Sequence, residues 1–381
     1  MMQGPRARYV RAVRLAVISI ASMLALTACF APKKPDPTPL EPLKPKVAGK
    51  QVWKHRVGKV EFPLTVAVNG SKFTLAADDG TVTALQADDG KELWSTDVGT
   101  KLSAGVGSDG RFASVVTRDN ELVTLDNGKV TWRQRLPSRV TTAPLVAGER
   151  VFVLGVDRSV QAFDVLDGRK LWTFQRPSDA LTLSKPGVIA AFKDTLLVGQ
   201  GAKLSGLDPL KGTLRWEVTL ASPRGTNEVE RLADLLAPLT RVGEVVCARS
   251  FQSAVACVNA ERGALLWTRN TGGVDGIGAD DQMVVGADAS DRLSAWRAAD
   301  GTVAWTSEKF LYRDLSAPLG VGKTFVVGDL EGMVHWLARD DGEPVLRLPT
   351  DGSAIRVAPV NAGLTLLVVT RDGGAFAFRP E

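Results

Sequence analysis

The sequence predicts an all-β fold, an eight-bladed propeller of four-stranded antiparallel blades in which the N- and C-terminal strands share one blade. Three observations predict it. A glycine stands four residues ahead of a large apolar residue at seven places in the 381 residues. Asp-Gly turns separate short runs of alternating apolar residues between those places. The interval is about 40 residues, the period of a propeller blade.

The first element is a leader. Arg6, Arg8, Arg11 and Arg14 precede an apolar run at 15–26 with no acid among them. A basic start, a short apolar stretch and small residues behind it describe a secretory signal over 1–28, too short for a comfortable membrane span. Its removal takes the formal charge from +5 to +1, because four arginines leave with it. The mature chain then carries no basic footprint for nucleic acid. At the end of the apolar run, Leu26-Thr27-Ala28-Cys29 resembles the bacterial lipobox, which implies that Cys29 is lipidated. A chance cysteine behind an ordinary signal is the alternative. Phe30 follows, so the aspartate that such lipoproteins use for inner-membrane retention is absent. This implies an outer-membrane anchor on the periplasmic face, with acyl chains contributing roughly 0.8 kcal/mol per buried CH₂. The second element, 29–49, carries six prolines within "APKKPDPTPLEPLKPKV". It reads as an extended tether.

The propeller is expected over 50–381. Its anchors are Trp53, Trp94, Trp132, Trp172, Trp216, Trp267, Trp305 and, in degenerate form, Leu346. From Trp94 onward each has glycine four before it: Gly90, Gly128, Gly168, Gly212, Gly263, Gly301 and Gly342. Within a unit, "KFTLAADDGTVTALQADDGKELW" reads as strand, Asp79-Gly80 turn, strand, Asp89-Gly90 turn, strand. Asp-Gly between alternating apolar runs is a strong hairpin signal. Ahead of several units lies a further short strand opened by Ala-Pro, as at Pro144, Pro238, Pro318 and Pro359, where a missing N–H is tolerated. Ten residues before the anchors stand small residues, Ala84, Ala162, Gly206, Cys257 and Ala295; Trp336 holds that place in one exceptional repeat, and in the other, about two residues short in this loop, Thr124 stands eight before Trp132. Small side chains there are expected to receive the neighbouring blade's tryptophan, a ring that buries about 150–250 Å². Trp94, Trp132, Trp172, Trp216, Trp267 and Trp305 are thus blade-docking residues. Trp53 has no hairpin of its own, and "TLLVVTRDGGAFAF" has a hairpin but no tryptophan. Joining them completes the eighth blade and removes exposed sheet edges.

Residue types that carry chemistry are scarce. There are 2 histidines and 3 cysteines. His55 and His335 read as structural residues, with no second ligand at metal spacing. Asp78, Asp79, Asp88 and Asp89 flank turns, where aspartate is favoured for its side-chain bonding. Cys247 and Cys257 flank a predicted hairpin, and in an oxidising compartment either a disulfide or a reduced pair is compatible with that placement. Trp296 and Trp336 fall outside the anchor positions. If exposed beside other aromatics they would suit a carbohydrate- or peptidoglycan-binding groove.

The pattern Ala162-Phe-Asp164…Gly168-Arg-Lys-Leu-Trp172 resembles the pyrroloquinoline-quinone-type propeller repeat. Two families share that repeat: quinoprotein dehydrogenases and the BamB lipoproteins of outer-membrane β-barrel assembly. Lipobox, proline-rich tether and eight blades together resemble the BamB family from Cys29 to Glu381. "GTNEVERLADLLAP" and "SDALTLSK" resemble that family's long inter-blade loop and the leucine-rich loop beside it. The resemblance implies a non-enzymatic scaffold without a cofactor, bound to a periplasmic POTRA domain of BamA and so to the rest of the Bam complex, assisting unfolded outer-membrane proteins. It implies Leu181 and Leu183 as apolar contacts and Asp234 as a polar one, with Glu230 and Arg231 beside them. Ser184 and Leu236 depart from the family's residues there. A solvated insertion is the alternative for the long loop. A dehydrogenase would need calcium ligands and, in many members, adjacent cysteines, whereas Cys247 and Cys257 lie ten apart.

Overall fold

Runs of apolar residues that alternate poorly, such as Phe112–Val116, are buried at every position, whereas outer strands such as Glu92–Asp97 are exposed or half-exposed. A strand covered on both faces reads as a continuous apolar run, and one at a sheet margin does not. That contrast recurs because each sheet is sandwiched between two others. The computed structural model describes residues 35–60, 62, 64–176, 181–222 and 226–381. Residues 38–381 form one compact unit. The signal sequence 1–28 and Cys29 lie outside the described residues.

Eight four-stranded antiparallel sheets make up this unit. Blades I to VII are each four consecutive strands, within 67–97, 107–135, 145–174, 189–219, 235–270, 278–307 and 319–349. Blade VIII takes Val360–Ala362, Thr365–Val369 and Gly374–Pro380 from the end of the chain, and Gly49–Arg56 as its outermost strand. Trp53 pairs there with Ala377. This is the closed eight-bladed propeller that the repeat predicts.

The glycine ahead of each anchor has two reasons to be glycine. Gly168 sits at φ 73°, in the left-handed region that side chains resist. A Cβ on it would also lie 2.6 Å from the ring of Trp132, the previous blade's anchor. The same contact joins Trp53 to Gly90, Trp94 to Gly128, Trp172 to Gly212, Trp216 to Gly263, Trp267 to Gly301 and Trp305 to Gly342. Five of these indoles also donate Nε1–H to a carbonyl three residues before that glycine, as Trp132 does to Val165 O at 2.8 Å. The neighbour's tryptophan therefore docks on the turn glycine, which corrects the expectation that it docks on the small residue ten before the anchor. Those small residues face their own blade's anchor across the strand pair, as in Ala84↔Trp94 and Cys257↔Trp267. A register shift follows at once in each case, placing a bulge beside the anchor. Bulges raise the local twist of a strand, which suits a ring that must turn towards the next blade.

Blade VII inverts the pair: Trp336 stands opposite Leu346. The large ring has moved to the inner strand and meets Phe378 of blade VIII edge-on, centroids 5.7 Å apart. Leu346 packs where a Cβ on Gly49 would lie. One exchange thus explains why both the small position and the anchor are irregular in the same repeat.

The proline-rich segment is not free along its whole length. Thr38 N–H donates to Leu311 O at 2.9 Å and Lys46 N–H to Val345 O at 2.8 Å. Arg313 and Arg347 donate to the carbonyls of Thr38 and Glu41, and Leu40 packs against the core of blades VI and VII. The expected tether over 29–49 is therefore a bound strap from Thr38 onward. Proline cannot supply ladder N–H groups, but its neighbours' carbonyls still accept from arginine.

Candidate functional site

Two inter-blade connections, from blade III to IV and from IV to V, come together beside a turn of blade III. The described residues resume at Leu181 in the first and at Thr226 in the second. Most of the residues implied by the family resemblance lie here.

In the second connection, Thr226 N–H donates to Glu230 Oε2 at 2.8 Å, and Glu230 N–H donates to Asn227 Oδ1 at 2.9 Å. Leu232 N–H reaches back to Val229 O. The Thr226 amide, then its hydroxyl, hold the Glu230 carboxyl below its ordinary range. The result is a compact turn, with the Glu230 carboxylate engaged inside it and Arg231 exposed. Val229 projects from this turn and is 67% exposed. Val229 is not among the residues the family resemblance implies; its sequence signal is an apolar residue inside a run of charged ones.

In the first connection Leu181 is 40% exposed and Leu183 half-buried. Asp234 Oδ2 accepts from Leu183 N–H at 3.0 Å, and Oδ1 accepts from Arg158 Nη2 at 3.0 Å. Both carboxylate oxygens of Asp234 thus have partners within the chain. Leu181 on the first connection and Val229 and Arg231 on the second are left exposed to solvent. Beyond Leu183, Lys185 Nζ spans to Val274 O and Asp275, tying the first connection to the one before blade VI. Exposed aliphatic side chains on ordered loops are a feature of association surfaces.

Other candidates are occupied by structural work. Asp79 and Asp89 accept from the amides two residues on, Thr81 and Lys91, each at 2.9 Å. Asp78 pairs with Arg118 and Asp88 with Arg379. Cys247 and Cys257 stand directly opposite on adjacent strands, Cα atoms 4.1 Å apart, and are joined in a disulfide beneath Trp267. Trp296 and Trp336 are both buried, so they form no aromatic binding surface. Among the described residues no group of three or more His, Cys, Asp or Glu is placed to hold a metal ion. An axial cavity of about 890 Å³ is lined by the innermost strands, mostly with aliphatic residues and proline.

His55 lies 3.7 Å from Glu92, whereas His335 is the hub of a buried polar cluster. Its Nε2 is 2.9 Å from Asp329 Oδ2, which also accepts from Arg313 Nε at 2.9 Å. Arg347 Nε donates to His335 Nδ1 at 3.2 Å, so Nε2 carries the proton and the ring is neutral. Burial lowers the His335 pKa, opposed by Asp329 and assisted by Arg347 and Arg313. Burial would raise the Asp329 carboxyl, but its bonds to His335 and the Met333 amide and the charge of Arg313 hold it below its ordinary value. This cluster lies directly beneath the strap.

Comparison with known proteins follows the same lines. The family described as outer membrane protein assembly factor BamB matches residues 78–307. The outer membrane protein assembly factor BamB of Burkholderia pseudomallei is 36% identical over 371 residues, 96% of this chain and 97% of that protein. The crystal structure of BamB from Moraxella catarrhalis superposes with a TM-score of 0.79 at 22% identity, over 87% of this chain and 99% of that one. Quinohemoprotein alcohol dehydrogenase from Comamonas testosteroni shares the fold, with a TM-score of 0.66 at 15% identity, over 87% of this chain and 76% of its own. At that identity the likeness is one of architecture alone. With a family match over most of the propeller and a relative aligned nearly end to end, the chain belongs to the BamB family.

Proposed function

We propose that this protein is a non-enzymatic scaffold of the outer-membrane β-barrel assembly complex, and that it binds a POTRA domain of BamA through the surface carrying Leu181, Leu183, Val229 and Arg231. The observation that carries the reading is that Leu181 and Val229 remain exposed on connections that the fold otherwise ties down. Membership of an assembly-factor family supports the partner's identity. Cys29 would carry the lipid that holds the protein to the periplasmic face of the outer membrane, after removal of 1–28. The mechanism is positional: a rigid ring holds the POTRA arm of BamA in one orientation while unfolded outer-membrane proteins are inserted.

Co-purification from detergent-solubilised outer membranes tests this. BamA should accompany the natural protein and be lost with a variant carrying Leu181→Ala, Leu183→Ala and Val229→Ala that melts at the natural temperature. BamA retained by the folded variant would displace the site to another face. BamA absent from both preparations would end the assembly reading.

A further inference from the structure

Arg158 stands in the turn between Arg150–Leu154 and Val160–Asp164 of blade III, at φ 61°. Its side chain is only 14% exposed. One nitrogen, Nη2, donates both to Leu181 O and to Asp234 Oδ1, each at 3.0 Å. The other oxygen of Asp234 accepts from Leu183 N–H at 3.0 Å. The backbone carbonyl of Arg158 accepts from Gln200 Nε2 at 2.6 Å, and the adjacent Gly201 O accepts from Leu235 N–H at 3.0 Å. Thr182 Oγ1 adds a bond to Val156 O at 3.0 Å. Two connections and two blade turns therefore converge on one guanidinium. Where a Cβ on Gly201 would stand, that guanidinium is 3.7 Å away, so the turn of blade IV lies flat against it.

We propose that Arg158 is the positioning residue of the partner surface: it fixes the backbone at Leu181 directly and at Leu183 through Asp234, so that the exposed leucine is presented in one conformation. The proposal rests on the partner reading above and deepens it. It also moves Asp234 from a partner contact to a member of the brace, since both its oxygens are satisfied inside the chain. A surface ordered before binding avoids the cost of ordering it during binding. Losing Arg158 would leave a carboxylate that is 16% exposed without its cation and two connections without their shared anchor.

A double-mutant cycle with Arg158→Met and Asp234→Asn, in the full-length protein titrated with the POTRA region of BamA, separates the two roles. Exchange of the Leu183 amide in the free protein reads the brace without any partner. Arg158→Met should weaken binding on the order of tenfold and speed Leu183 exchange, as expected for lost hydrogen bonds to charged groups. Arg158→Lys should recover part of both. The double variant should bind no more than about twofold more weakly than Arg158→Met, as expected for residues acting as a unit. The proposal is overturned if Arg158→Met binds like the natural protein, or if Leu183 exchange is unchanged. It is overturned equally if Asp234→Asn costs as much in the Arg158→Met background as alone, which would make Asp234 a direct contact. If the natural protein itself fails to bind, the partner reading falls, whereas natural binding with an indifferent Arg158→Met removes this proposal alone.

Discussion

Replacing Gly168 with alanine should cost far more stability than replacing Gly148, although both lie in blade III and both have positive φ. Gly148 sits at φ 57° with nothing within 4 Å of where a Cβ would stand. Its alanine variant meets only the left-handed backbone penalty, roughly 1–2 kcal/mol. Gly168 sits at φ 73°, and its Cβ would lie 2.6 Å from Cδ2 and Cε3 of Trp132. The ring must move, at an overpacking cost of about 1–3 kcal/mol. Moving it also strains the bond from Trp132 Nε1 to Val165 O, 2.8 Å long, whose net contribution is about 1 kcal/mol. Gly168→Ala should therefore destabilise by about 3–6 kcal/mol, against about 1–2 for Gly148→Ala. Urea unfolding followed by tryptophan fluorescence reads the difference as a shift in midpoint. Trp132→Leu should then lower the cost of Gly168→Ala, since Leu346 already fills that position in blade VII. Equal midpoints for the two alanine variants, or no relief from Trp132→Leu, would refute docking on the turn glycine.

The buried cluster around His335 gives stability a defined dependence on pH. Its folded pKa is lowered by burial, so the unfolded chain binds the proton first. Stability is then complete above about 6.5 and falls as pH drops through the folded value. Asp329, also held low, adds a second loss at the acid end below the ordinary carboxylate range of about 4. Melting temperature should decline between pH 7.5 and 5.5 in the natural protein and stay flat over that window in His335→Gln; parallel curves would contradict the assignment. Arg347→Met removes the bond to Glu41 O, 2.9 Å long, and should loosen the strap. Trypsin cleavage after Lys46 should then rise several-fold with the propeller intact, and an unchanged rate would show that Arg347 does not hold it.

How much of this was legible in the sequence depends on how local its cause is. The glycine-to-anchor spacing was legible because turn conformation and ring placement fix it within five residues. Which surface the ring meets was not, because that surface belongs to the next blade. Asp329 resembles the turn aspartates of other blades and gave no sign of being buried, since its cation, Arg313, lies 16 residues earlier. The leucine loop was found by its likeness to a family. The brace beneath it joins Arg158 to Asp234 across 76 residues, and no local pattern records such a bond. Val229 could have been found, because an aliphatic residue amid Asn227, Glu228, Glu230 and Arg231 has no neighbour in sequence to pack on. The strap was hidden by its prolines, which describe an extended chain well but leave unsaid whether something binds it.

On the function proposed, this ring holds BamA through the surface where blades III, IV and V meet. Site-specific photo-crosslinking in intact cells tests it most directly, with the probe placed at Val229 and, as a control, at Leu364, which is 77% exposed on blade VIII. A crosslink to BamA from position 229 and none from 364 is the expected result. BamA captured from 364 and not from 229, or from neither, would contradict this placement of BamA.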